Sequence, residues 1–185
     1  METIKRGKLR NYIALSFLLG ARPSEIINIK WERVNFEKKY VRILGAITGK
    51  ETLEERNLNK SISSQRIIYL SDAAIRYFKE QFEITGKDKS YVFLNQYKKM
   101  YTDVRAIRKS FSIALKNSGI RKRRLYDLRH SFASINLSEE RLPLILISQI
   151  MGHKDASITL QKYSAYISSS SKETLVKINK AFSGF

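Results

Sequence analysis

Met151-Gly152-His153-Lys154-Asp155-Ala156-Ser157-Ile158-Thr159-Leu160-Gln161-Lys162-Tyr163 is the stretch on which the reading of this chain turns, because it sets His153 ten residues ahead of Tyr163. A second cluster just upstream, L-Y-D-L-R-H from Leu125 to His130, supplies an arginine. The 185-residue chain carries 35 Lys+Arg against 17 Asp+Glu, a formal charge of +18. A histidine, an arginine and a tyrosine beside a polyanion point to chemistry on a phosphodiester.

Composition bounds the rest. The length suits one domain with a proper core, and 43% hydrophobic residues is too many for a disordered chain. A fold with this excess of cations repels itself unless its partner is a polyanion, so nucleic acid is the leading partner. No long basic amphipathic helix with aromatic anchors favours a membrane surface. Cysteine is absent and there are two histidines, His130 and His153, which removes disulfides and cysteine-based zinc sites. A metal site built from carboxylates stays open, but neither a D-x-D nor an H-E-x-x-H spacing occurs, and no metal ligand is singled out. The apolar run Ile13–Leu19 is too short to span a bilayer and no signal peptide precedes it. The expectation is a cytoplasmic, nucleoid-associated protein.

Leu9, Tyr12, Ile13, Phe17 and Leu18 recur at helical spacing, and Gly20 sits where that helix should stop. Pro23 suits a first helical position, with Glu25 in the first turn, so a shorter helix ending near Trp31 is predicted after a turn holding Arg22. Asn35–Lys39 reads as a polar break. Tyr40–Leu44 and Arg66–Leu70 read as strands on either side of a long polar loop, Gly45–Ser64. Ser71 or Asp72 caps a helix, Tyr91–Leu94 is a short extended segment, and Val104–Lys116 is helical by period. Helices are then expected at about Asp127–Asn136, Leu144–Met151 and Ala156–Tyr163. A last one, Lys172–Phe182, follows the serine run Ser168–Ser171. The fold class is α+β, mainly helical with a small antiparallel sheet.

Phosphoryl transfer at a diester needs cations matched to the phosphate oxygens, a positioned nucleophile and an acid for the departing oxygen. Arginine suits the first role, since its planar fork binds two oxygens and stays charged. Tyrosine is a weak nucleophile when free, but nearby guanidinium charge lowers the cost of its ionisation. A phosphotyrosine link also conserves the energy of the broken diester, so neither ATP nor metal is needed to rejoin strands.

G-A-R-P-S-E-I-I-N-I-K-W at Gly20–Trp31, L-Y-D-L-R-H-S-F-A-S at Leu125–Ser134 and the Met151–Tyr163 stretch together resemble the motif boxes of the tyrosine recombinase, or phage-integrase, family. The resemblance runs in order from Gly20 to Tyr166. It implies that Arg22 and Arg129 clamp the scissile phosphate and that His153 hydrogen-bonds a phosphate oxygen. Tyr163 would become joined to a DNA 3′-phosphate, releasing a 5′-hydroxyl, and Glu25 would support Arg22. Tyr166, one helical turn on, fits the nucleophile's T-L-x-x-Y spacing less well. The family's lysine, which protonates the leaving 5′-oxygen, corresponds to Lys60, with Lys50 as competitor. Tyr126 stands where the family usually places a histidine three residues before the second arginine. His130 reads as structural, because neighbouring helix positions point in different directions. The run Arg121-Lys122-Arg123-Arg124 is expected to contact the phosphate backbone without specifying sequence.

The resemblance further implies a site-specific recombinase working through a covalent 3′-phosphotyrosyl intermediate with no cofactor. Its partners would be double-stranded DNA and three further copies, a homo-tetramer on two paired sites and a monomer without DNA. Residues 1–166 would form the catalytic domain. Residues 167–185 would form a linker and a C-terminal helix exchanged with a neighbouring protomer. The N-terminal domain that grips the opposite face of DNA in family members is expected to be absent from this chain. Two rival readings are a type IB topoisomerase-like enzyme and a non-catalytic DNA-binding relative that lost efficient chemistry through Tyr126.

Overall fold

The computed structural model describes residues 2–46, 65–88 and 90–166. The expectations for Lys50, Lys60, the serine run and the last helix lie outside these residues.

The chain opens with helix α1, Glu2–Leu18, which buries Tyr12 and Leu15, with Leu19 buried just beyond its end. It stops where Gly20 takes φ +54, a left-handed conformation that glycine adopts without a Cβ penalty. A Cβ there would also meet the ring of Phe132 at 2.4 Å, so the residue is required twice over. Helix α2 is only Pro23–Ile26, shorter than predicted. Ile27, Asn28 and Ile29 are buried beyond the helix in local turns, and the Ile29 carbonyl turns away from the helix to accept from Val92 N at 2.9 Å. One turn of 3-10 helix follows at Trp31–Arg33.

Three strands form an antiparallel sheet in the order β1 (Val34–Asn35), β2 (Tyr40–Leu44), β3 (Gln65–Tyr69). Tyr40 pairs with Tyr69 and Leu44 with Gln65. Two strands match the expected ones. The third, β1, has only two residues, too few to show an alternating pattern. Residues 91–94 do not join this sheet; Tyr91 bridges Lys30 and Leu94 bridges Met100.

Helix α3, Asp72–Thr85, is capped by the Ser71 hydroxyl, which accepts from Ala74 N. Helix α4 spans Arg105–Asn117, α5 Asp127–Ser138, α6 Leu144–Met151 and α7 Ala156–Tyr163. The last two match the predicted bounds.

The larger core cluster lies among α1, α3, α4 and the sheet, with Tyr12, Leu15, Ile43, Ile68 and Phe78 within it. A smaller one joins α5, α6 and α7 through Phe132, Ala133, Leu137, Ile147, Met151 and Tyr163. Helix α5 packs against α1 as well as α6 and α7, and α6 also meets β3, with Ile150 packed against both clusters, so these two helices tie the clusters together.

Candidate active site

The buried face of α5 is Arg129, Phe132, Ala133 and Leu137, an i, i+3, i+4, i+8 stripe that would be wholly apolar but for its first member. Arg129 is 1% exposed. Its Nη1 donates to the Gly20 carbonyl at 2.8 Å, and its Nη2 lies 3.0 Å from Nε2 of His153. Its Nε is buried with no hydrogen-bond partner among the described residues. These partners are a carbonyl and an imidazole, not a carboxylate. A buried cation without a bonded counter-ion is costly, which is how a protein holds a site ready for an anion.

A guanidinium has only donors, so Nε2 of His153 must accept from Arg129 and the imidazole is neutral. Nδ1 then carries the proton and donates to the buried hydroxyl of Thr159 at 2.6 Å. Burial, and then the positive charge of Arg129, Lys162, Arg22 and Arg66, pull the His153 pKa down from 6.5 to about 4. Gly152 makes this placement possible: it ends α6 at φ +68, and a Cβ there would strike Arg66 at 2.7 Å.

Arg22 lies just before α2, with Pro23 fixing the first helical position. The Glu25 carboxylate reaches back, accepting from Arg22 N at 2.7 Å and from Arg22 Nη1 at 2.9 Å. The Glu25 side chain is 1% exposed, whereas the Arg22 side chain keeps 35% of its surface in solvent. Arg66, on β3, holds the same carboxylate from the other side through Nη1 at 3.1 Å and Nη2 at 2.9 Å. Its Nε donates to the carbonyl of Ile150 in α6 at 2.6 Å. Burial acts to raise the Glu25 pKa, but hydrogen bonds and charge from Arg66 and Arg22 outweigh it, and the net shift is downward. Arg22, Arg66 and Arg129 thus surround a single carboxylate, leaving the site strongly positive.

Tyr163 ends α7 only 3% exposed, while Tyr166 is 50% exposed. The Tyr163 hydroxyl pairs with Nδ1 of His130 at 2.6 Å. Burial raises the pKa of this phenol against the opposing pull of Arg129. Tyr126 packs edge-on to His130 at 5.0 Å between ring centroids. Arg121, Lys122, Arg123 and Arg124 are all exposed on the segment leading into α5, and Arg124 pairs with Asp127.

Of the residues singled out from sequence, Arg22, Glu25, Arg129 and His153 come together, and Tyr163 joins them through α5. Sequence reasoning misses two members. Arg66 reads only as the start of a strand; the signal for it is its place in the lysine-containing pattern six residues after Lys60. His130 reads as structural. Neighbours on a helix do point in different directions, but here both directions lead into the site.

Solved structures with this fold include an integrase of the Tn1549 transposon in complex with circular intermediate DNA and the XerA recombinase. The first has a TM-score of 0.71 at 17% identity, covering 92% of this chain and 59% of that one. The second has a TM-score of 0.68 at 18% identity, covering 96% and 57%. The architecture is that of a tyrosine-recombinase catalytic domain. The chain belongs to the phage integrase family, whose pattern it matches over residues 1–168. Among curated relatives, a XerC-like tyrosine recombinase of Caldanaerobacter subterraneus subsp. tengcongensis is 25% identical over 202 residues, covering 98% of this chain and 51% of the relative. The chain spans about half the length of the curated relatives it matches.

Proposed function

We propose that this chain is the catalytic domain of a site-specific DNA recombinase that cuts and rejoins strands through a 3′-phosphotyrosyl link. The observation that carries the reading is the double delivery by α5, with Arg129 bonded to His153 and, next in the chain, His130 bonded to Tyr163. An anion-ready cluster of arginines beside a hydrogen-bonded phenol is what attack on a phosphodiester requires.

Arg22 and Arg129 bind the non-bridging oxygens of the scissile phosphate and stabilise the charge that builds there. Glu25 holds Arg22 in its rotamer. His153 orients Arg129 and contributes a further contact to phosphate. Tyr163 attacks phosphorus, forming the O–P bond as the P–O5′ bond breaks, and Lys60 protonates the departing 5′-oxygen. A 5′-hydroxyl from the partner strand then reverses the step. Arg121, Lys122, Arg123 and Arg124 bind the phosphate backbone, Tyr126 borders the site, and no cofactor is required. Two relatives of known structure bear on the partner: the Tn1549 integrase and the XerH recombinase were both solved with DNA. We extend this to a tetramer on two paired sites, with residues 167–185 exchanged between protomers, acting at the nucleoid.

The test is covalent capture on nicked duplex DNA. The adduct should disappear in Tyr163→Phe and survive in Tyr166→Phe. The absence of any adduct with the wild-type chain would sink the enzymatic reading and favour a non-catalytic DNA-binding role. Relaxation of supercoiled DNA by monomers at any sequence would favour a topoisomerase.

A further inference from the structure

We propose that His130 is the proton acceptor that ionises Tyr163. The inference rests on the reading of Tyr163 as the nucleophile and goes beyond it by naming where the phenolic proton goes.

Three observations support it. The Tyr163 hydroxyl and His130 Nδ1 are 2.6 Å apart, within reach for direct proton transfer. Tyr163 is 3% exposed, so bulk water is a poor competitor for that proton. The Tyr126 ring packs edge-on against His130 at 5.0 Å between centroids and helps fix the imidazole beside Tyr163. The groups facing His130 come from both packed elements. Tyr126, Asp127, Arg129 and the preceding Arg124 come from the α5 side, and Lys162 and Tyr163 from α7. Burial, with the cations Arg124, Lys162 and Arg129, outweighs the pull of Asp127 and holds His130 below the ordinary histidine value. It is therefore neutral, with Nδ1 free to accept when Nε2 carries the proton.

The step balances without a further reactant. The phenolic proton passes to Nδ1, the phenolate electron pair forms the O–P bond, and the P–O5′ pair leaves with the 5′-oxygen, which takes its proton from the general acid. In the reverse step the tyrosine leaves and recovers its proton from the imidazolium.

The experiment uses the full chain and nicked duplexes selected from a randomised pool by covalent capture on the wild-type protein. Adduct formation is followed under single-turnover conditions between about pH 5 and 10. His130→Asn should fold and bind DNA normally yet form adduct about 10²–10⁴-fold more slowly at neutral pH. The deficit should shrink towards the pH range where phenol ionises unaided, and added imidazole should partly rescue His130→Ala. A His130→Asn rate within about twofold of wild type, or a deficit equal at every pH, overturns the proposal. If neither variant folds, nitrogen NMR of the wild type decides, since only two histidines contribute. His130 should titrate differently in Tyr163→Phe, and identical titration in the two proteins overturns the proposal. Tyr163→Phe also separates the two failures. An adduct that persists there sinks the nucleophile reading and this inference with it, as does a pool from which the wild type captures nothing. Loss of the adduct there with an unaffected His130→Asn sinks this inference alone.

Discussion

Arg129 and His130 are neighbours on α5, and they bond to different parts of one site: Arg129 to His153 after α6, His130 to Tyr163 at the end of α7. Successive helix positions are rotated by about 100°. A single helix can therefore hold a guanidinium against His153 and an imidazole against Tyr163 in fixed relation, provided α6 and α7 wrap around it. The small core of Phe132, Ala133, Leu137, Ile147 and Met151 keeps them there.

His153 should make stability pH-dependent. Its folded pKa of about 4 lies below the ordinary 6.5. Between those values the unfolded chain binds more protons, so stability rises with pH. The contribution is complete above about 6.5 and is lost as pH falls towards 4. Allowing for the partial solvent exposure of the site, it amounts to about 1–2 kcal/mol. Urea unfolding at several pH values should show the slope in wild type and lose it in His153→Gln.

Arg66 and Glu25 form the pair with the least solvent access in the site, at 9% and 1% side-chain exposure. Arg66→Ala leaves the buried carboxylate with Arg22 alone and frees the Ile150 carbonyl. A loss of about 3–5 kcal/mol is expected. Glu25→Gln should cost less, and the double variant should show strong coupling in a mutant cycle. Because the Glu25 pKa is depressed, its contribution is present above the normal carboxylate range and fades as pH falls through the lowered value. Denaturant midpoints measure both effects.

Gly20→Ala should be among the most damaging single-methyl additions. It forces a side chain into φ +54 and presses a Cβ to within 2.4 Å of Phe132. About 2–3 kcal/mol of stability should be lost. Moving the Gly20 carbonyl also disturbs Arg129, so adduct formation should fall in the protein that remains folded.

Arg22→Ala and Arg129→Ala should retain DNA binding while reducing adduct formation at least about 10²–10³-fold, the usual cost of removing one group that stabilises transition-state charge. Arg129→Lys should not recover the activity, since an ammonium cannot reach both the Gly20 carbonyl and His153. Gel shifts and single-turnover assays separate the two readouts.

Replacing Arg121, Lys122, Arg123 and Arg124 with serine should leave the melting profile nearly unchanged, because all four are exposed. DNA affinity should fall across all sequences, and the dependence of log K on log salt should flatten by about one for each phosphate that the variant no longer neutralises.

The sequence by itself determined the class of fold, the order of most of its elements and most of the residues gathered in the candidate site. Helices α6 and α7 match their expected bounds, and the structure shows why: Gly152 ends one and Asp155 caps the other, signals that act within a turn of the chain. The resemblance of its motif boxes to those of the tyrosine recombinase family pointed to Arg22, Arg129, His153 and Tyr163 before any geometry. What only the tertiary structure decided was how those residues bond. The two-residue strand β1 carries no periodicity, and beyond the early end of α2 Ile29 pairs with a segment more than sixty residues away. Arg66 reads as an ordinary strand cation until folding brings α2 and α6 to either side of it. His130 reads as structural until α7 sets Tyr163 against it. Local signals are written in neighbouring residues, whereas a hydrogen bond spanning 33 positions, as that between His130 and Tyr163 does, exists only once packing has fixed two helices against each other.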